Sequence, residues 1–161
     1  PVRVLVNSAA AFPEDTLADV TPEGWNHTLA VNVTAPMFLT KAFADRLPDG
    51  EEGVVINLSD WRVSRPYPDH FSYTVSKGAL DTFTVAAAGA LAPRIRVNGV
   101  ALGAILPPKG KPSEYLKGLA GTLPLERVGT ADAAVSAVLF LIENDFVTGA
   151  TVPVDGGAHL V

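Results

Sequence analysis

Residues 54–101 read VVINLSDWRVSRPYPDHFSYTVSKGALDTFTVAAAGALAPRIRVNGVA, and this stretch decides the fold. Val54 to Ser59 is a short, largely β-branched apolar run, the composition of a strand buried on both faces in a parallel sheet. It ends at the polar pair Ser59-Asp60, and Pro66, Tyr67 and Pro68 mark a loop beyond. Ser72 to about Leu91 reads as a helix rich in alanine and glycine, with Val75, Leu80, Phe83 and Leu91 as apolar anchors. Arg94 to Ala101 returns to strand composition. A connection this long cannot close a hairpin, so the two strands lie parallel around a crossover helix.

The same alternation continues on both sides. Val2 to Val6 predicts another strand buried on both faces, followed by the small-residue turn Asn7-Ser8-Ala9-Ala10. Thr21-Pro22-Glu23-Gly24 opens a helix with a hydroxyl cap, an early proline and an acid at the positive dipole end. That helix runs to about Leu47, and Pro36 inside it predicts a kink or bulge at residues 32–35. Leu106 to Pro124 is long enough for a mobile lid, Ala131 to Ile142 is an amphipathic helix, and Thr151 to Val154 is a last strand turned by Asp155-Gly156-Gly157. The expectation is a parallel α/β sheet of four strands with one bare edge. No glycine-rich strand-turn-helix fingerprint for a dinucleotide pyrophosphate occurs in the chain.

Composition narrows the function. The 161 residues make one domain, with 48% hydrophobic and 18% charged residues, enough for a packed core. Twelve basic against seventeen acidic residues give a net charge of −5, which disfavours nucleic acid and anionic membrane surfaces. The absence of cysteine removes thiol chemistry and suits a cytoplasmic setting. No apolar run approaches the roughly 20 residues of a membrane span, and no signal-like segment precedes the first strand. His27, His70 and His159 are widely spaced and read as surface or loop groups, so no metal is expected.

Tyr73 and Lys77 stand four residues apart at the start of a helix, on one face. An ammonium beside a phenol favours the phenolate and is expected to pull its pKa down toward working pH. Spacing alone also describes many solvated helix faces. Asp60, at the carboxyl end of a strand where open α/β sheets place ligands, brings a third polar group to the same crevice.

With Asn7-Ser8-Ala9-Ala10 after a strand, Asn32 in the next helix, Tyr73-Thr74-Val75-Ser76-Lys77, Val97-Asn98-Gly99-Val100-Ala101-Leu102-Gly103 and Val154-Asp155-Gly156-Gly157, the chain resembles the short-chain dehydrogenase/reductase family. The resemblance covers all 161 residues. It implies a Rossmann-like doubly wound parallel sheet of about seven strands, of which residues 1–161 look like the carboxyl-terminal four, without the glycine-rich loop. It also implies Tyr73 as catalytic acid, Lys77 as its partner and a ribose ligand, and Asn32 as anchor of a water-linked proton relay. Asn7, Ser8, Ala9, Ser59, Gly103 and Ile105 would join Tyr73 and Lys77 around NADPH. Asn32 serves equally to satisfy backbone groups near Pro36.

Where the family usually has serine, thirteen residues before the tyrosine, this chain has Asp60. That departure is similar to the pteridine reductase branch, as are Phe12, placed to stack a pterin, and the Arg65-Pro66 pair. The implied activity is NADPH-dependent reduction of a dihydropterin or dihydrofolate C=N bond, with Phe12, Asp60 and Tyr73 on the substrate. Phe12 reads equally as a loop residue tucked onto the core, and Asp60 as a turn cap. Arg62, Arg65, Lys109 and Lys111 read first as solvated loop charges, and second as contacts for an anionic substrate tail. The alternatives are a carbonyl or 3-oxoacyl thioester reductase of the same family, and a non-catalytic assembly partner. The family also implies a homotetramer built on the Asn32 and Tyr73 helices and the last strand.

Overall fold

The computed structural model describes residues 1–107, 110, 112 and 114–161. Its elements are β1 (Val4–Asn7), α1 (Pro22–Leu29), one π-helical turn (Ala30–Thr34), α2 (Ala35–Arg46), β2 (Gly53–Asp60), a 3-10 turn (Trp61–Val63), α3 (Phe71–Leu91), β3 (Ile95–Leu102), α4 (Glu114–Ala120), α5 (Ala131–Glu143), β4 (Thr151–Val154) and a closing 3-10 turn (Ala158–Leu160). The sheet is parallel throughout, in the order β1-β2-β3-β4.

Alternation along each strand divides the core into two layers. Val55 and Val97 pack with Phe43 of α2 and Ala87 and Ala88 of α3 on one face. Val54, Ile56 and Val100 pack with Leu141 of α5 on the other. This is the doubly wound, Rossmann-like layering expected from the sequence. The crossovers β2-α3-β3 and β3-α5-β4 step the same way across the sheet with helices on opposite faces, so they have opposite hands, against the usual uniformity. Two arginines beside and within the start of β3 reach helix ends on the two faces of the sheet. Arg94 donates to the carbonyls of Ala44 and Leu47 at the end of α2, and Arg96 donates to those of Leu141 and Ile142 at the end of α5.

The long helix expected from Thr21 to Leu47 is broken at residues 30–34, overlapping the predicted irregularity. Pro36 has no N–H for the carbonyl of Asn32, and the backbone widens so that Ala35 N–H reaches the carbonyl of Ala30. One expectation fails. Val4 and Val6, on the face of Val54 and Ile56, are exposed in this chain rather than buried, because they lie outside the cluster that α5 packs on that face. The stretch read as a lid carries α4, while Pro108, Lys109, Lys111 and Ser113 lie outside the described residues.

Leu141 is completely buried between α5 and the sheet. Leu141→Ala is expected to lower the unfolding free energy by about 2–5 kcal/mol, measured by urea denaturation of the full-length protein.

Candidate active site

The carboxyl ends of β2 and β3 and the start of α3 meet at a cleft of about 730 Å³. Tyr73 and Lys77 lie on the inner face of α3, 6% and 3% exposed. The Lys77 ammonium is 5.6 Å from the Tyr73 ring centre, so the two share a face and are both buried. Lys77 Nζ donates to the carbonyl of Leu58 at 2.7 Å. Tyr73 Oη donates to Asp60 Oδ2 at 2.8 Å, while Asp60 Oδ1 accepts the Arg62 N–H at 2.9 Å. Asp60 thus caps the turn after β2 with one oxygen and meets the tyrosine with the other.

Burial governs the protons. It pushes the Asp60 carboxyl above the ordinary carboxylate range, against its hydrogen bonds from Arg62 and Tyr73 and the charges of Arg62 and Lys77. It pushes the Tyr73 phenol up as well, and the Asp60 charge and hydrogen bond add to that rise. Burial also draws the Lys77 ammonium down, against the charges of Asp60 and Asp81. The expected lowering of Tyr73 by Lys77 is therefore corrected. The ammonium is engaged by Leu58, and an adjacent carboxylate and low solvation outweigh it.

The loop after β1 is pinned at alternate residues. Asn32, fully buried in the π-turn, accepts the Ala11 N–H at 2.8 Å and donates to the Ala11 carbonyl and to Ser76 Oγ, both at 2.9 Å. His70 Nδ1 lies 2.6 Å from the Pro13 carbonyl, and Asp15 accepts from the Ser72 N–H and hydroxyl at 3.0 and 2.5 Å. Phe12 and Glu14, between the pins, line the cleft. Phe12 stacks on His70 at 3.9 Å and meets Tyr73 edge-on at 4.5 Å.

The remaining candidates are less central. Asn7 is buried and donates to Asn57 Oδ1 at 2.8 Å, while Ser8 and Ala9 are exposed beyond the end of β1. Ser59 is buried on the α3 side of β2, the side of Asn57, and does not line the cleft. Gly103 lines the cleft, and a Cβ there would lie 2.5 Å from Asp155 Cα, so backbone packing also demands glycine. Ile105 is half-buried against Gly129.

His70 and Asp81 carry no site reading in the sequence, and Arg62 carries one only as its second alternative. His70 is 8% exposed in a left-handed conformation at the start of α3, not a surface group. Its position three residues before Tyr73 was the available signal. Arg62 reads first as a solvated loop charge and second as a contact for an anionic tail; its side chain is only 20% exposed and lines the cleft. Asp81, one turn beyond Lys77, is held up by burial and raises the ammonium in return. Among the described residues no cluster of His, Cys, Asp and Glu could hold a metal, and no helix is long and apolar enough to cross a membrane.

The donor set suits a nicotinamide riboside. Lys77 spends one of its three donors on Leu58 and has no other acceptor among the described residues, which fits a vicinal diol. The phosphate half of a dinucleotide has no glycine-rich counterpart here.

Fold and site together define a parallel α/β protein with a largely buried Tyr73–Lys77–Asp60 cluster at its strand ends. A family model described as Enoyl-(Acyl carrier protein) reductase matches residues 1–159. FolM alternative dihydrofolate reductase 1 from Brucella suis, solved in complex with NADP, is 38% identical with a TM-score of 0.96 over 100% of this chain and 65% of that one. The angucycline C-6 ketoreductase LanV with bound NADP is 31% identical with a TM-score of 0.89, over 99% of this chain and 63% of that one. L-xylulose reductase from Caenorhabditis elegans is 32% identical over 98% of this chain and 66% of its own length. The chain belongs to the short-chain dehydrogenase/reductase family. It spans between 63% and 66% of the length of these relatives.

Because the folded pKa of Asp60 lies above its unfolded value of about 3.9, its contribution is fully present below that pH. It is lost as pH rises through the folded pKa. Asp60→Asn is therefore expected to gain stability relative to the parent as pH is raised from about 4 toward 7, read from urea midpoints across that range.

Proposed function

We propose that this protein is an NADPH-dependent reductase of the pteridine type, which reduces a C=N bond of a dihydropterin or dihydrofolate. The observation that carries the reading is the 2.8 Å hydrogen bond from Tyr73 to Asp60, a carboxylate where the family usually has serine. When bound, a reduced nicotinamide supplies the hydride. Lys77 would bind the adjoining ribose with the donors that Leu58 leaves, and Phe12, in the cleft lining, offers an aromatic surface for a planar heterocycle.

The proton is the chain's own task. Tyr73 gives its hydroxyl proton to the ring nitrogen as the neighbouring carbon takes the hydride, and Asp60 in its neutral form returns one to the tyrosine. A carboxyl raised by burial is a stronger acid than the phenol yet still holds a proton closer to neutral pH than an ordinary aspartate. Asn32 steadies the loop behind Phe12 and, through the helix break, leaves its own carbonyl without an i+4 donor.

The resemblance of LanV and the xylulose reductase favours a second reading, reduction of a ketone or 3-oxoacyl thioester with the same Tyr73 and Lys77. Exposed Phe38 and Leu39 on α2, Val85 on α3 and Leu139 and Phe140 on α5 support a homotetramer in either case.

The full-length protein with NADPH is expected to turn over dihydrobiopterin or dihydrofolate in preference to small ketones. Tyr73→Phe should lower kcat by about 10²–10⁴-fold. Turnover of ketones with no pterin reduction would replace the first reading by the second.

A further inference from the structure

The mechanism leaves one partly buried cation of the cleft without a task. Arg62 follows β2 on the turn Trp61–Val63, two residues from Asp60, and its backbone N–H is fixed by the Asp60 carboxylate. Its guanidinium lies 6.0 Å from the Trp61 ring centre and 5.5 Å from that of Tyr67, and these rings meet edge-on at 5.6 Å. One nitrogen donates to Asp69 at 2.8 Å, the only side-chain partner of the guanidinium among the described residues. A guanidinium has five donors in a planar fork, so most of this one is unfilled. The two partners of the ion pair also differ. Asp69 is 56% exposed and can turn to water, whereas Arg62 is 20% exposed and lies beside both rings. Arg65, which also lines the cleft, is exposed and makes no such contacts among the described residues.

We propose that Arg62 is a substrate-binding residue that takes a carboxylate on the distal tail of the substrate, with Asp69 keeping the guanidinium oriented until the tail arrives. The proposal rests on the reductase reading above and narrows its substrate to a heterocycle carrying an anionic tail, as dihydrofolate does and dihydrobiopterin does not. A cleft of about 730 Å³ has room for both ring and tail. The Trp61 and Tyr67 rings offer apolar walls beside the charge.

Two measurements on the full-length protein test it. In steady-state assays with NADPH, Arg62→Gln should raise the ratio of KM for dihydrofolate to KM for dihydrobiopterin about tenfold or more, as loss of a charged hydrogen bond does, and Arg62→Lys should recover part of it. Arg65→Gln should leave that ratio unchanged. Without cofactor or turnover, 4-aminobenzoyl-glutamate should quench or shift Trp61 fluorescence in the parent and in Arg62→Lys, but bind at least about tenfold more weakly to Arg62→Gln. An unchanged ratio in a folded Arg62→Gln, or equal binding to parent and variant, overturns the proposal while leaving the reductase reading intact. Arg62-dependent binding with no pterin or folate turnover sinks that reading and leaves the carboxylate site standing. Because phosphate suits the same fork, acetoacetyl-coenzyme A is compared with ethyl acetoacetate in the same variants. An Arg62 effect confined to that pair overturns the carboxylate assignment.

Discussion

A lysine ammonium at 3% exposure is costly to bury unless something accepts its protons, and in this fold the carbonyl of Leu58 does so at 2.7 Å. That bond ties α3 to β2 two residues before Asp60. It fixes the height of the helix against the strand, and with it the meeting of Tyr73 and Asp60 at 2.8 Å. The same burial penalises every charged form present. It lifts the aspartate and the phenol and lowers the ammonium. A set of groups all pushed toward neutrality is suited to passing a proton, where a fully ionised set would hold it.

The loop at residues 11–15 depends on α3 in a second way. Ala11 is held by Asn32, Pro13 by His70 and Asp15 by Ser72, so every other residue is anchored by a polar contact. The intervening Phe12 and Glu14 face the cleft. Because the Pro13 carbonyl can only accept, His70 carries its proton on Nδ1, and the ring is locked flat against Phe12 at 3.9 Å. The helix break at residues 30–34 belongs to the same device, since Asn32 projects from it toward Ala11 and Ser76.

The parts legible in the sequence are those set by local rules. Apolar runs announced the four strands, Pro36 announced the broken helix, and the one-turn spacing of Tyr73 and Lys77 placed both on one face. Features set by tertiary neighbours were not legible. Val4 and Val6 look like core residues though α5 packs beyond them, and no pattern in residues 131–154 tells which face of the sheet α5 covers. The phenol of Tyr73 was misjudged for the same reason. Spacing shows which cation is near, but the balance depends on solvent exclusion and on where the ammonium is already bonded.

Fold and chemistry thus divide by element. Tyr73, Lys77 and Asp60 sit on α3 and the end of β2, where helix and strand hydrogen bonds leave little freedom. Phe12, Arg62 and His70 come from the loops after β1 and β2 or from the cap of α3, each held by polar or stacking contacts. Loops held this way can differ in what they present to the cleft while Tyr73 keeps its place on α3. Proteins named as a ketoreductase, a xylulose reductase and a dihydrofolate reductase can therefore resemble this chain over the same sheet.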